Sequence, residues 1–124
     1  MTIKMINSEV DGVFVVTLAG RMVLGEESNS LREKVRSLLA EGKKKIVLSM
    51  AGVKSIDSSG LGILVASHVS AKTQGASVRL CNLGEKFHEI MQITKLLTVF
   101  DVYDTEAAAV SSFQGLLVAG NQLR

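Results

Sequence analysis

The sequence predicts an α/β domain built on a mixed sheet of about five strands packed with about four helices. Three observations carry this. A hairpin signal stands near the start, short apolar runs then alternate with stretches of helical period, and glycine (11 residues) rather than proline (none) marks the junctions. Strands alternating with helices imply parallel neighbours joined by right-handed crossovers. The opening hairpin makes the sheet mixed.

Ile3 to Val10 alternates loosely, and Val13 to Ala19 is nearly continuous in apolar residues. Asp11-Gly12 between them reads as a two-residue turn. A strand polar on neither side is one covered on both faces. Gly20 to Ser30 reads as a loop. Leu31, Val35, Leu38 and Leu39 then recur at helical spacing until Gly42. Ile46 to Met50 reads as a central strand, and the loop Asp57-Ser58-Ser59 leads into a helix carrying Leu61, Leu64, Val65 and His68 on one face, ending near Gly75. Ser77 to Leu83 is a further strand. Gly84 to Leu97 holds a short helix with Phe87, Ile90 and Met91 inward, and Val99 to Tyr103 is an edge strand. Thr105 caps a last helix whose Ala107, Val110, Phe113 and Leu117 face the core. The apolar end Leu116-Leu117-Val118-Ala119 either completes that helix or packs on a partner, completion being favoured. The expected organisation is one domain over 1–124, with its core at about 3–117 and a tail at 118–124.

Composition narrows the function classes. Apolar residues make up 47% against 21% charged, which suffices for a core and argues against disorder. Aromatics are 4%, so Val, Leu, Ile and Met must fill the core. The formal charge of +2 is too small to point to nucleic acid. Lys43-Lys44-Lys45 is short and reads as a solvated helix-to-strand loop, and the aromatics of a single-strand binder are missing. The single cysteine, Cys81, has no intrachain disulfide partner and reads as a buried thiol. His68 and His88 stand alone, and no Cys/His spacing suggests zinc. Neither metal nor cofactor is expected. With no signal-peptide pattern and no apolar stretch of bilayer length, the plain reading is a soluble cytosolic protein that spans no membrane.

The stretch Ile56-Asp57-Ser58-Ser59-Gly60-Leu61-Gly62 places two hydroxyls and a carboxylate where a strand turns into a helix. A serine there can be a helix cap, a nucleophile or a site for an added phosphate. For a nucleophile the helpers are absent. Residue 56 is Ile where a nucleophile elbow has Gly. His68 lies roughly 15 Å along the following helix at 1.5 Å per residue, too far to act as the base. Catalysis is therefore not expected. Capping alone contributes about 1 kcal/mol, yet one cap needs one side chain. Glycines early in a helix cost up to about 1 kcal/mol each. The expected compensation is access, a small exposed surface on which another protein docks.

That stretch, with the preceding strand Ile46-Val47-Leu48-Ser49, resembles the signature of the STAS domain family, specifically bacterial anti-sigma factor antagonists. Val16-Thr17-Leu18-Ala19-Gly20 resembles the family's second strand, Leu31-Arg32-Glu33 its first helix, and Phe100 to Ala108 its last strand and helix. The resemblance implies a single STAS-like domain acting as a non-enzymatic switch. In the family, the unmodified protein binds an anti-sigma factor, often a serine kinase, and thereby frees a sigma factor. The kinase phosphorylates the first hydroxyl residue after the Asp, here Ser58, and a separate phosphatase resets it. The docking surface so implied comprises Asp57, Ser58, Ser59, Gly60, Leu61 and Gly62, with Arg21, Met22 and Val23 beside them. Family precedent leans towards a monomer, while the apolar C-terminal end leaves a dimer open. The chain departs from the pattern at Gly20-Arg21-Met22-Val23, where Val23 replaces a customary Asp. Glu26 and Glu27 are the nearby carboxylates that could replace it. That departure motivates an alternative: a STAS module of a signalling scaffold or transport complex in which Ser58 is never modified. The switch reading requires the Ser58 hydroxyl to face water.

Overall fold

The computed structural model describes residues 4–22, 26–56, 58–95 and 98–119. The chain forms β1 (Lys4–Val10), β2 (Val13–Met22), α1 (Glu26–Ala40), β3 (Lys45–Ile56), α2 (Ser58–Thr73), β4 (Ser77–Cys81), α3 (Glu85–Ile93), β5 (Asp101–Tyr103) and α4 (Glu106–Ala119). One sheet holds the strands in the order β1-β2-β3-β4-β5. β1 and β2 pair antiparallel, and every other neighbouring pair is parallel. This is the expected mixed sheet. The hairpin turns on Asp11 and Gly12, both at positive φ (51° and 81°). That is the type I′ geometry whose twist matches the flanking strands.

Successive strand residues point to opposite faces, and both faces here are covered. On one face Leu31, Val35 and Leu38 of α1, Leu64 and Ala71 of α2, and Phe87 and Met91 of α3 pack on Val16, Leu18, Ile46, Leu48 and Leu80. On the other, Ala109, Val110 and Phe113 of α4 cover Val13, Val15, Val47 and Cys81. Val15 and Val16 are each 0% exposed, which explains why that strand shows no polar side in the sequence. The Ala108 N–H donates to Thr105 Oγ1 at 3.0 Å, so Thr105 caps α4 as expected.

Several boundaries and faces differ from expectation. α1 starts at Glu26 rather than Leu31, since Glu26 and Glu27 are good helix formers favoured near a helix N-terminus. β2 runs on to Met22 and β3 to Ile56, beyond Ala19 and Met50. β4 ends at Cys81, where Asn82 turns out at φ 57°. Val99 is 42% exposed and precedes β5. The buried face of α2 includes Ser67 and Ala71 as well as Leu64, while Leu61, Val65 and His68 are half-buried. In α3, Phe87 and Met91 are buried but Ile90 is only half-buried. In α4, Ala107 is exposed and Ala109 takes its place against the sheet. The side chain of Leu117 and the tail beyond Ala119 lie outside the described residues.

Of the lysine cluster, Lys43 and Lys44 lie in the loop as expected, while Lys45 opens β3. Lys43 Nζ lies 3.9 Å from the Glu9 carboxylate, and Lys44 Nζ donates to the Gln74 carbonyl at 2.7 Å. Cys81 is 0% exposed. Burial pushes its thiol pKa up, an effect only partly opposed by a hydrogen bond with Ser49. The thiol stays protonated in the fold, so its contribution to stability is fully present below about pH 9, the ordinary thiol value, and declines as pH rises further.

Arg79 of β4 ties α4 to the sheet. Its guanidinium lies 3.9 Å from the Phe113 ring centroid, donates to Ser112 Oγ, and stands 3.8 Å from the Asp101 carboxylate. The Asp101 side chain is 65% exposed. That ion pair therefore contributes at most a few tenths of a kcal/mol, whereas the stacked, largely desolvated guanidinium contributes about 1–2 kcal/mol. Arg79→Ala should accordingly cost more than about 1 kcal/mol in urea unfolding, and Asp101→Asn less than about 0.5. Equal costs for the two would overturn this division.

Candidate functional site

The site is built by an irregularity in β3. Thr17 pairs with Ser49, but Ala19 pairs with Gly52; Gly20 pairs with Val53, but Arg21 pairs with Ser55. In each interval β3 holds one residue more than β2, which makes two bulges in a parallel pair, where bulges are rare. At the first, the strands approach so closely that a Cβ on Gly52 would sit 2.7 Å from Ala19 Cβ and 2.9 Å from the Leu18 carbonyl oxygen. The bulges let β3 keep pairing until Met22 stands beside Ile56.

β2 and β3 therefore end side by side, and α2 opens on Ser58 after a single intervening residue. Arg21 and Met22, at the end of β2, share this sheet edge with the start of α2. The end of β2 and the start of α2 are thus brought together by strand register, although they lie far apart in the chain.

Of the individual residues, Ser58 and Ser59 are the first two of α2. Their side chains, and those of Arg21 and Met22, lie outside the described residues, as do Asp57 and Val23 altogether. The exposure of the Ser58 hydroxyl therefore stands as an expectation. Gly60 is buried, which leaves little of its backbone surface accessible. Gly62 is exposed, and a Cβ added there would meet nothing within 4 Å. Leu61 is half-buried and packs against the main core. The first turn of α2 holds no acidic residue, so the positive end of the helix dipole has no carboxylate of its own helix to offset it.

His68 is a packing residue. Its ring centroid lies 5.1 Å from that of Phe100 at an interplanar angle of 58°. Among the described residues no group of three His, Cys, Asp or Glu could hold a metal ion. No helix among them is long and apolar enough to cross a membrane.

One feature of this edge went unseen in the sequence. A groove of about 540 Å³ lies between the end of β3 and α3, lined by Val53, Ile56, Phe87 and Ile90 together with the charged Lys54, Glu85 and Glu89. Continuing the apolar pattern past Met50 to Val53 and Ile56 was the available signal. The bulges put that pattern out of alternation.

Fold and site together define a single-sheet α/β domain whose second helix opens on a serine beside the ends of two parallel strands. The sequence model of the STAS domain matches residues 4–109, and the chain belongs to that family. Over 108 residues it is 24% identical to the anti-sigma F factor antagonist of Paenibacillus polymyxa, covering 83% of this chain and 88% of that one. Over 72 residues it is 35% identical to the anti-sigma-B factor antagonist of Bacillus subtilis, covering 58% of this chain and 65% of the relative. Its fold matches the crystal structure of a Thermotoga maritima protein, provisionally named an anti-sigma factor antagonist. That match has a TM-score of 0.81 at 27% identity and covers 87% of this chain and 92% of the other.

Proposed function

We propose that this chain is an anti-sigma factor antagonist switched by phosphorylation of Ser58. In its unmodified form it binds an anti-sigma factor that is also a serine kinase, and so frees a sigma factor in the cytoplasm. The kinase transfers the terminal phosphoryl group of ATP to the Ser58 oxygen, which loses its proton, and ADP leaves. The modified protein lets go, and a phosphatase restores the hydroxyl. The chain itself catalyses nothing in this scheme. Its docking surface comprises Asp57, Ser58, Ser59, Leu61 and Gly62, with Arg21, Met22 and Val23 alongside.

The observation that carries this reading is the position of Ser58 as first residue of α2, at the edge where β2 and β3 end together. The names of the relatives support the partner class. A phosphoserine adds about −1.5 to −2 charge. At a helix N-terminus the fold tolerates it, because backbone amides and the dipole offset part of that charge. In the middle of a docked interface the same group meets desolvation and the carboxylate of Asp57.

The test is to incubate the protein with ATP and each anti-sigma kinase of its own genome, then weigh it. A gain of one phosphoryl group, absent from Ser58→Ala, is expected. No gain with any kinase would overturn the switch and favour an unmodified scaffold or transport-complex module.

A further inference from the structure

We infer that the groove between β3 and α3 receives an extended segment of the partner, which adds as a short strand beside Val53–Ile56. That segment would seat an apolar side chain on Phe87 and Ile90 and carry Lys or Arg next to it. The inference rests on the proposed function and extends its docking surface.

Three observations converge. First, β4 pairs with β3 only from Lys45 to Ser49. Beyond Ser49 the edge of β3 that faces away from β2 carries no strand among the described residues. An interior strand with a vacant edge is a template for main-chain pairing, with alternate side-chain pockets supplying specificity. Second, a groove of about 540 Å³ adjoins this unpaired part of β3, and its apolar lining is Val53, Ile56 and Ile90, half-buried, with a buried Phe87; Lys54, Glu85 and Glu89 are its charged residues. Ile93, one turn beyond Ile90, is 77% exposed and continues the apolar strip. Third, the exposed Glu85 and Glu89 stand four residues apart on α3 along the rim. Neither has an ion-pair partner among the described residues. Two carboxylates against the single cation of Lys54 leave the groove's charged lining net negative, which favours a basic, apolar segment and steers its approach. Ile56 is two residues before Ser58, so a segment in the groove is continuous with a partner docked on the serine.

The test measures binding of the purified anti-sigma kinase by calorimetry and follows backbone exchange by mass spectrometry. Reversing the rim charges, Glu85→Lys with Glu89→Lys, changes only exposed side chains and should leave folding intact. We expect about tenfold weaker binding, together with slowed amide exchange in 53–56 of the wild-type complex. Ile90→Lys should weaken binding similarly, while Val69→Lys, on an exposed part of α2 outside the groove, should not. Unchanged affinity on charge reversal, or unprotected 53–56 in a complex that Ser58→Asp still disrupts, would refute the groove and leave the serine switch standing. Wild-type protein that binds no anti-sigma kinase would refute both.

Discussion

Ser58→Asp should weaken binding to the anti-sigma partner by at least about a hundredfold, or about 2.7 kcal/mol. The melting temperature should shift by no more than a few degrees, which for a domain of this size is within about 1 kcal/mol. The two effects separate because the same carboxylate meets different surroundings. In the free protein it sits at the first position of α2, where solvent and the helix dipole favour an anion. In the complex it is stripped of water against the partner and stands next to Asp57, so its charge has no compensation. Ser58→Ala, which removes the hydroxyl without adding charge, should retain binding and lose only phosphorylation. Calorimetric titration of the three proteins, paired with thermal melts, measures both quantities. Wild-type affinity in Ser58→Asp would remove the electrostatic basis of the switch. A large loss of stability would mean that the residue serves the fold instead.

Gly52→Ala should cost about 2–3 kcal/mol, a loss of roughly 8–12 °C in melting temperature. The added methyl would lie 2.7 Å from Ala19 Cβ and 2.9 Å from both Ala19 Cα and the Leu18 oxygen. Two of those three atoms belong to the backbone of β2, which is held by its pairing with β1 on its far side. No flexible side chain can yield, so the strands must part or the bulge must move. Either response shifts Val53 to Ile56 and with them the start of α2, so partner binding should weaken alongside stability. Gly62→Ala is the comparison. Its methyl meets open space, and alanine is the better helix former, so stability should hold or rise slightly. A Gly52→Ala protein as stable as wild type would show that the bulged register is not what positions the site.

Much of the architecture was legible because its signals are local. Asp11-Gly12 between apolar runs specifies a turn through the φ values its two residues accept. Leu31, Val35 and Leu38 specify a helix face through spacing alone. The buried strand beginning at Val13 betrays its two covered faces by lacking polar residues. The serine stretch was also legible, since hydroxyls, a carboxylate and glycines at a strand-to-helix junction are unusual for a scaffold. What failed had a non-local cause. Ile90 has the same apolar character as Phe87 and Met91, yet it borders a groove because β4 stops at Cys81. Ala107 and Ala109 are indistinguishable in composition, and only the face that α4 turns to the sheet buries the second.

By itself the sequence determined the order of elements, the hairpin, the core stripe of α1 and the chemistry available at Ser58. All of these follow from backbone preference and side-chain period within a few residues. Tertiary structure alone decided how far β3 continues and which surfaces adjoin the serine. A bulge is a mismatch between two strands, so no single stretch of chain can encode it. The paired ends of β2 and β3 and the groove beside α3 come into being only when those strands meet.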